Sequence, residues 1–143
     1  MQEFLAEREQ KRLVDAARAA RSKSYSPYSH FQVGAALLTK DGEIYTGCNI
    51  ESVSYTPTNC AERTAFFKAV SEGKKDFSAI AVVGAFEGQP LAYCAPCGVC
   101  RQVMQEFCDP ATFLILLSQE DYMTRSYTLE EILPIGFGPE KFI

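Results

Sequence analysis

Two short clusters of cysteine carry the chemistry of this chain: Cys60-Ala61-Glu62 and, well downstream, Pro96-Cys97-Gly98-Val99-Cys100. Together they offer three thiols for a metal ion and a carboxylate that the metal does not need. Three protein ligands leave one corner of a tetrahedral zinc free for water, the arrangement of a catalytic centre and not of a closed structural one. The spacing therefore points to a zinc hydrolase with one Zn2+ per chain.

Cys97 and Cys100 are three residues apart, so on the first turn of a helix their sulfurs face the same side. Cys60 completes the set if a second helix N-terminus converges on the first. Three thiolates exceed the charge of zinc by one. Two helix N-termini, each worth about half a positive charge, offset that excess. Arg63 and Arg101, each beside a ligand, are expected to help. Glu62 lies two residues from Cys60, within reach of the water but off the metal, and is the candidate proton shuttle.

Other chemistries draw on the same residues. A lone C-x-x-C is also a redox pair, although here a proline precedes it and nothing around it is thioredoxin-like. A fourth cysteine, Cys94 or Cys48, would close the site into a structural one. Otherwise Cys48, Cys94 and Cys108 read as buried or half-buried thiols. Glu62 alone would be an ordinary first-turn acid, and only its pairing with the cysteine clusters lifts it.

Both clusters need helices to present them, and the sequence supplies the signals. Pro57-Thr58-Asn59 precedes a helical segment over 60–72 that Gly73 is placed to end. Pro96 opens a second such segment over 97–107. Upstream, 5–21 reads as an amphipathic helix, and 32–38 and 44–50 flank Asp41-Gly42 as a hairpin. The apolar, β-branched runs 79–84 and 112–118 read as buried strands, and 129–133 as a short final helix. This alternation predicts an α/β fold with a mixed sheet covered on both faces.

With 143 residues, 47% hydrophobic and 22% charged, the chain fits one domain over 1–143 that folds without metal staples. A net charge of −4 gives no basic field for a phosphate backbone, so nucleic acid is not an expected partner. Residues 1–8 lack the basic flank and apolar run of a signal peptide, and no stretch approaches 18 consecutive apolar residues. A cytoplasmic protein without membrane contact is expected.

C-x-E followed by P-C-x-x-C resembles the zinc nucleoside and nucleobase deaminases, in the form where cysteine replaces the histidine of H-x-E. The segments 28–36, 47–51, 60–65, 96–102 and 133–139 narrow the resemblance to small homotetrameric cytidine deaminases of the cytidine/deoxycytidylate deaminase superfamily. That resemblance implies a three-layer α/β/α fold on a mixed five-stranded sheet. It also implies Cys60, Cys97 and Cys100 as zinc ligands and Glu62 as catalytic acid and base. Asn49 and Glu51 match the ribose-binding pair, Phe31 the aromatic against the pyrimidine, and Tyr55 and Phe137 positions that reach a neighbouring subunit's pocket. Arg63 matches the residue that hydrogen-bonds the thiolates, with Gln102 a second candidate for that role. The backbone at Ala61 or Ala95 is expected to receive the leaving amine. The implied reaction is hydrolysis of cytidine and 2′-deoxycytidine to the uracil nucleosides and ammonia, as in pyrimidine salvage. The rivals are a blasticidin-S type deaminase, a polynucleotide deaminase and a non-catalytic zinc module. Asn49 and Glu51 argue against the first, the acidic balance against the second, and Glu62 against the third.

Overall fold

The computed structural model describes residues 5–142, so residues 1–4, read above for a leader, lie outside it. A helix α1 (Glu7–Arg21) leads into β1 (Phe31–Thr39) and β2 (Ile44–Cys48), followed by α2 (Ala61–Ser71) and β3 (Phe77–Phe86). Then come α3 (Gly98–Phe107), β4 (Leu114–Ser118), β5 (Thr124–Thr128), α4 (Leu129–Ile132) and a 3-10 turn at Pro139–Lys141. The strands form one sheet in the order β2-β1-β3-β4-β5. Only β3 and β4 run parallel, with α3 as the crossover between them.

Strand alternation explains the layers. Val33, Ala35 and Leu37 of β1, with Ile80 and Val82 of β3 and Ile115 and Leu117 of β4, meet Ala65 and Phe66 of α2 and Met104 of α3. The intervening residues Ala36, Leu38, Ala81, Val83 and Leu116 meet Leu13, Val14 and Ala17 of α1 on the opposite face. Each central strand is thus apolar on both faces, the pattern of a sheet sandwiched between helices. Phe66 is fully buried among Phe77, Phe107 and Phe113, and truncating such a ring to alanine costs about 3–5 kcal/mol.

The sheet seats the helices closely. A Cβ on Gly47 of β2 would lie 2.4 Å from the Ala61 carbonyl oxygen and 2.6 Å from the Ala65 nitrogen, so only glycine lets the start of α2 rest on β2. Across the sheet, Arg21 at the end of α1 donates to the carbonyls of Gln32 (3.0 Å) and Ala85 (3.1 Å). These contacts hold β1 and β3 in place beneath the ends that carry the site.

The expected elements are present, with differences at the edges. β2 ends at Cys48 because the chain turns away: Asn49–Glu51 bridges Tyr25 on one side and Asn59 on the other. β5 lies in none of the runs read as strands. It pairs antiparallel with β4 as an edge strand and supplies the fifth strand that the family resemblance implied.

Candidate active site

Cys60 is the extended N-cap residue of α2, and Cys97 holds the same position on α3. The Cys97 sulfur caps its helix by accepting from the Cys100 N–H at 3.5 Å, as a serine oxygen would. Cys100 on the first turn of α3 then faces the same side as Cys97. The sulfurs of Cys60, Cys97 and Cys100 all lie within 4.8 Å of one another, with Cys60 and Cys97 3.8 Å apart. A tetrahedral zinc with Zn–S bonds of about 2.3 Å places its sulfurs about 3.8 Å apart, so the triad fits that ion. Among the described residues no fourth ligand joins the group. Cys94 stays apart as a thiol, pushed up to about 12 by burial, and the closed four-cysteine reading has no support.

The electrostatics set Cys60 apart from Cys100. Cys60 is lowered to about 5, chiefly by a hydrogen bond from Cys100 and further by Arg63. The same bond holds Cys100 up as the protonated partner. Arg63 donates to the Cys60 sulfur at 3.3 Å, as the resemblance implied. Arg101 does not take the matching role. Its guanidinium donates to the carbonyls of Pro96 (2.8 Å) and Ile132 (2.7 Å), bracing the loop ahead of α3. Gln102 also departs from expectation: its amide donates to the Phe137 carbonyl at 2.7 Å and ties the C-terminal segment to α3 instead of a thiolate.

Glu62 sits on the first turn of α2, 4% exposed and outside the sulfur triad. Burial pushes its carboxyl up to about 7, and the Cys60 thiolate adds to the rise. That is the range in which a carboxyl both takes and returns a proton near neutral pH. Ala61, expected to present its backbone to the amine, has its carbonyl packed against Gly47 of β2. What it presents is its first-turn N–H, which the helix itself leaves unused.

The segment that carries Asn49 and Glu51 is joined through its backbone to the residue before Cys60. Ile50 exchanges two 2.9 Å hydrogen bonds with Asn59, the residue before Cys60. The Asn49 amide is held by its surroundings: Oδ1 accepts from the Val33 N–H (2.9 Å) and from the Ser24 hydroxyl (2.5 Å), while Nδ2 donates to the Phe31 carbonyl (2.8 Å). Glu51 accepts from the N–H groups of Tyr28 and Ser29 and from the Ser29 hydroxyl, which keeps its carboxyl below the usual range. It lines a cleft of about 310 Å3 with Tyr28, Ser29, Ser52, Tyr55 and Thr58. None of the three triad cysteines is among the cleft's lining residues. Phe31, at the start of β1, packs edge-on against Phe86 at 4.9 Å. Tyr55 and Phe137 are 78% and 58% exposed. Ser24 and Ser29 went unassigned in the sequence, where a serine in a turn-rich stretch carries no sign of its partner.

A model of the cytidine and deoxycytidylate deaminase zinc-binding region matches residues 7–116. The chain is 49% identical over 129 residues to a cytidine deaminase of Sporosarcina psychrophila, covering 90% of this chain and 91% of that one. It is 52% identical over 128 residues to a cytidine deaminase of Halalkalibacterium halodurans, with 90% and 93% covered. A solved cytidine deaminase from Burkholderia pseudomallei matches with a TM-score of 0.80 at 47% identity, covering 89% of this chain and 98% of that one. The blasticidin-S deaminase of Bacillus cereus is more distant, at 31% identity over 141 residues, with 96% of this chain and 98% of that one covered.

Proposed function

The chain belongs to the cytidine and deoxycytidylate deaminase family, and on that premise we propose that it hydrolyses cytidine and 2′-deoxycytidine to the uracil nucleosides and ammonia. The observation that carries this reading is a buried carboxyl, Glu62, set beside but outside a convergent triad of sulfurs.

Cys60, Cys97 and Cys100 would hold the zinc ion. When bound, it supplies a Lewis acid that makes water a nucleophile near neutral pH. Glu62 takes a proton from the attacking water and delivers it to N3 of the ring as the water oxygen bonds to C4. It then takes the remaining hydroxyl proton and passes it to the exocyclic nitrogen. The C4–N bond breaks, ammonia leaves, and the C4 carbonyl forms with N3 still protonated. Arg63 holds the Cys60 thiolate in place by its hydrogen bond. Burial of Glu62 keeps bulk water from competing for the proton.

Asn49 and Glu51 bind the ribose hydroxyls, the amide as donor and the carboxylate as acceptor. Phe31 packs against the pyrimidine, and the Ala61 N–H is a donor to the ring. Exposed Tyr55 and Phe137 support a homotetramer in which each pocket is completed by neighbours. We read residues 1–143 as one deaminase domain working in the cytoplasm. Among the described residues, no helix is long and apolar enough to cross a membrane.

The test is ammonia release from cytidine, 2′-deoxycytidine and free cytosine, before and after zinc removal by a strong chelator. Zinc-dependent release from the two nucleosides and little from cytosine is expected. Release from none of them with zinc bound would refute the substrate assignment.

A further inference from the structure

The hydroxyl of Ser29 stands between Glu51, which lines the cleft, and Phe31 at the start of β1. It donates to Glu51 Oε2, and it accepts from the Phe31 N–H at 3.0 Å. Glu51 Oε1 is engaged separately, by the N–H groups of Tyr28 and Ser29, both at 3.1 Å. A carboxylate has about four lone-pair positions. The turn at 28–29 fills three of them, and the one left, on Oε2, belongs to an oxygen that the Ser29 hydroxyl has already aimed. Between Ser29 and Phe31 the chain passes through His30 at φ 58°, a left-handed conformation that side chains other than glycine seldom adopt. That bend lets one hydroxyl serve both the carboxylate and the first strand residue.

We propose that Ser29 is a positioning residue that couples Glu51 to the start of β1, so that an acceptor for a sugar hydroxyl and the Phe31 ring are set relative to each other before the nucleoside arrives. This rests on the reading above, in which Glu51 and Phe31 contact the substrate. A hydrogen bond to a carboxylate is among the stronger kinds, and its loss here would leave two groups to be ordered by the ligand at the cost of affinity. Ser29 makes none of its hydrogen bonds to the sulfurs or to Glu62, so the chemical step is untouched.

The experiment compares Ser29→Ala, Ser29→Thr, Glu51→Gln and the Ser29→Ala/Glu51→Gln double variant as zinc-loaded enzymes with cytidine. Ser29→Ala should raise KM about ten-fold, with kcat within about two-fold and zinc content unchanged. Ser29→Thr, which keeps the hydroxyl, should restore KM to within about three-fold of the parent. The double variant should be little worse than Glu51→Gln alone, because both changes disable one unit. If Glu51→Gln raises KM while Ser29→Ala does not, the positioning role is wrong and the substrate reading stands. If Glu51→Gln leaves KM unchanged, the reading of Glu51 fails and takes the proposal with it. A fall in kcat shared by the Ala and Thr variants would mark Ser29 as merely structural and overturn the proposal too.

Discussion

Cys60, Glu62, Cys97 and Cys100 stand at the N-caps and first turns of two helices pressed against the sheet, whereas Tyr28, Glu51, Tyr55 and Phe137 stand on segments without regular structure. The first group is anchored by α2 resting on Gly47 and by the packing of Phe66 and Met104 beneath it. The second is held by hydrogen bonds between turns, and three of the chain's left-handed non-glycine residues, His30, Tyr55 and Ile135, lie in it. The groups proposed to react are thus fixed by the core, and those proposed to bind by local polar contacts. A change in one region should therefore leave the other's property standing.

The sharpest way to break that division is to remove a ligand. Cys97→Ala should lose zinc and all turnover together, while the far-UV circular dichroism stays that of the parent because the two apolar layers do not depend on the metal. Full zinc occupancy in this variant would show that the ligand set is misplaced. Next in size is Glu62→Gln, expected to lower kcat by a factor on the order of 10²–10⁴ with zinc retained. Zinc loss there would make Glu62 a ligand and erase its separation from the triad. The smallest effect is expected at Gln102→Ala, which removes one neutral hydrogen bond to Phe137. A melting temperature lower by about 2–4 °C, with zinc content intact, is the expected result. Zinc loss in that variant would return Gln102 to the thiolates.

The same division governs what could be read in the sequence. The ligands and Glu62 were legible because each cluster is only a few residues long and sits at a helix start marked by Pro96 or by Asn59. The hairpin was legible from Asp41-Gly42, where Gly42 adopts φ 93°. β5 was not: Thr124-Arg125-Ser126-Tyr127-Thr128 has no apolar alternation, and only pairing with β4 makes it a strand. Nor were the partners of Arg101 and Gln102, because the direction of a helix-surface side chain depends on a C-terminal segment that local pattern does not place. Ser29 was hidden for the same reason, its value lying wholly in the carboxylate it meets.

The close approach of the Cys60 and Cys97 sulfurs, 3.8 Å apart, has a consequence for handling the protein. Once the ion is stripped, a thiolate at Cys60 faces a second sulfur at a distance that small side-chain motion can close, and an oxidant can cross-link the pair. Metal content is therefore also a measure of shelf life. Preparations dialysed against chelators in air should be kept reduced, because an oxidised pair would block reloading and pass for an enzyme that never bound zinc.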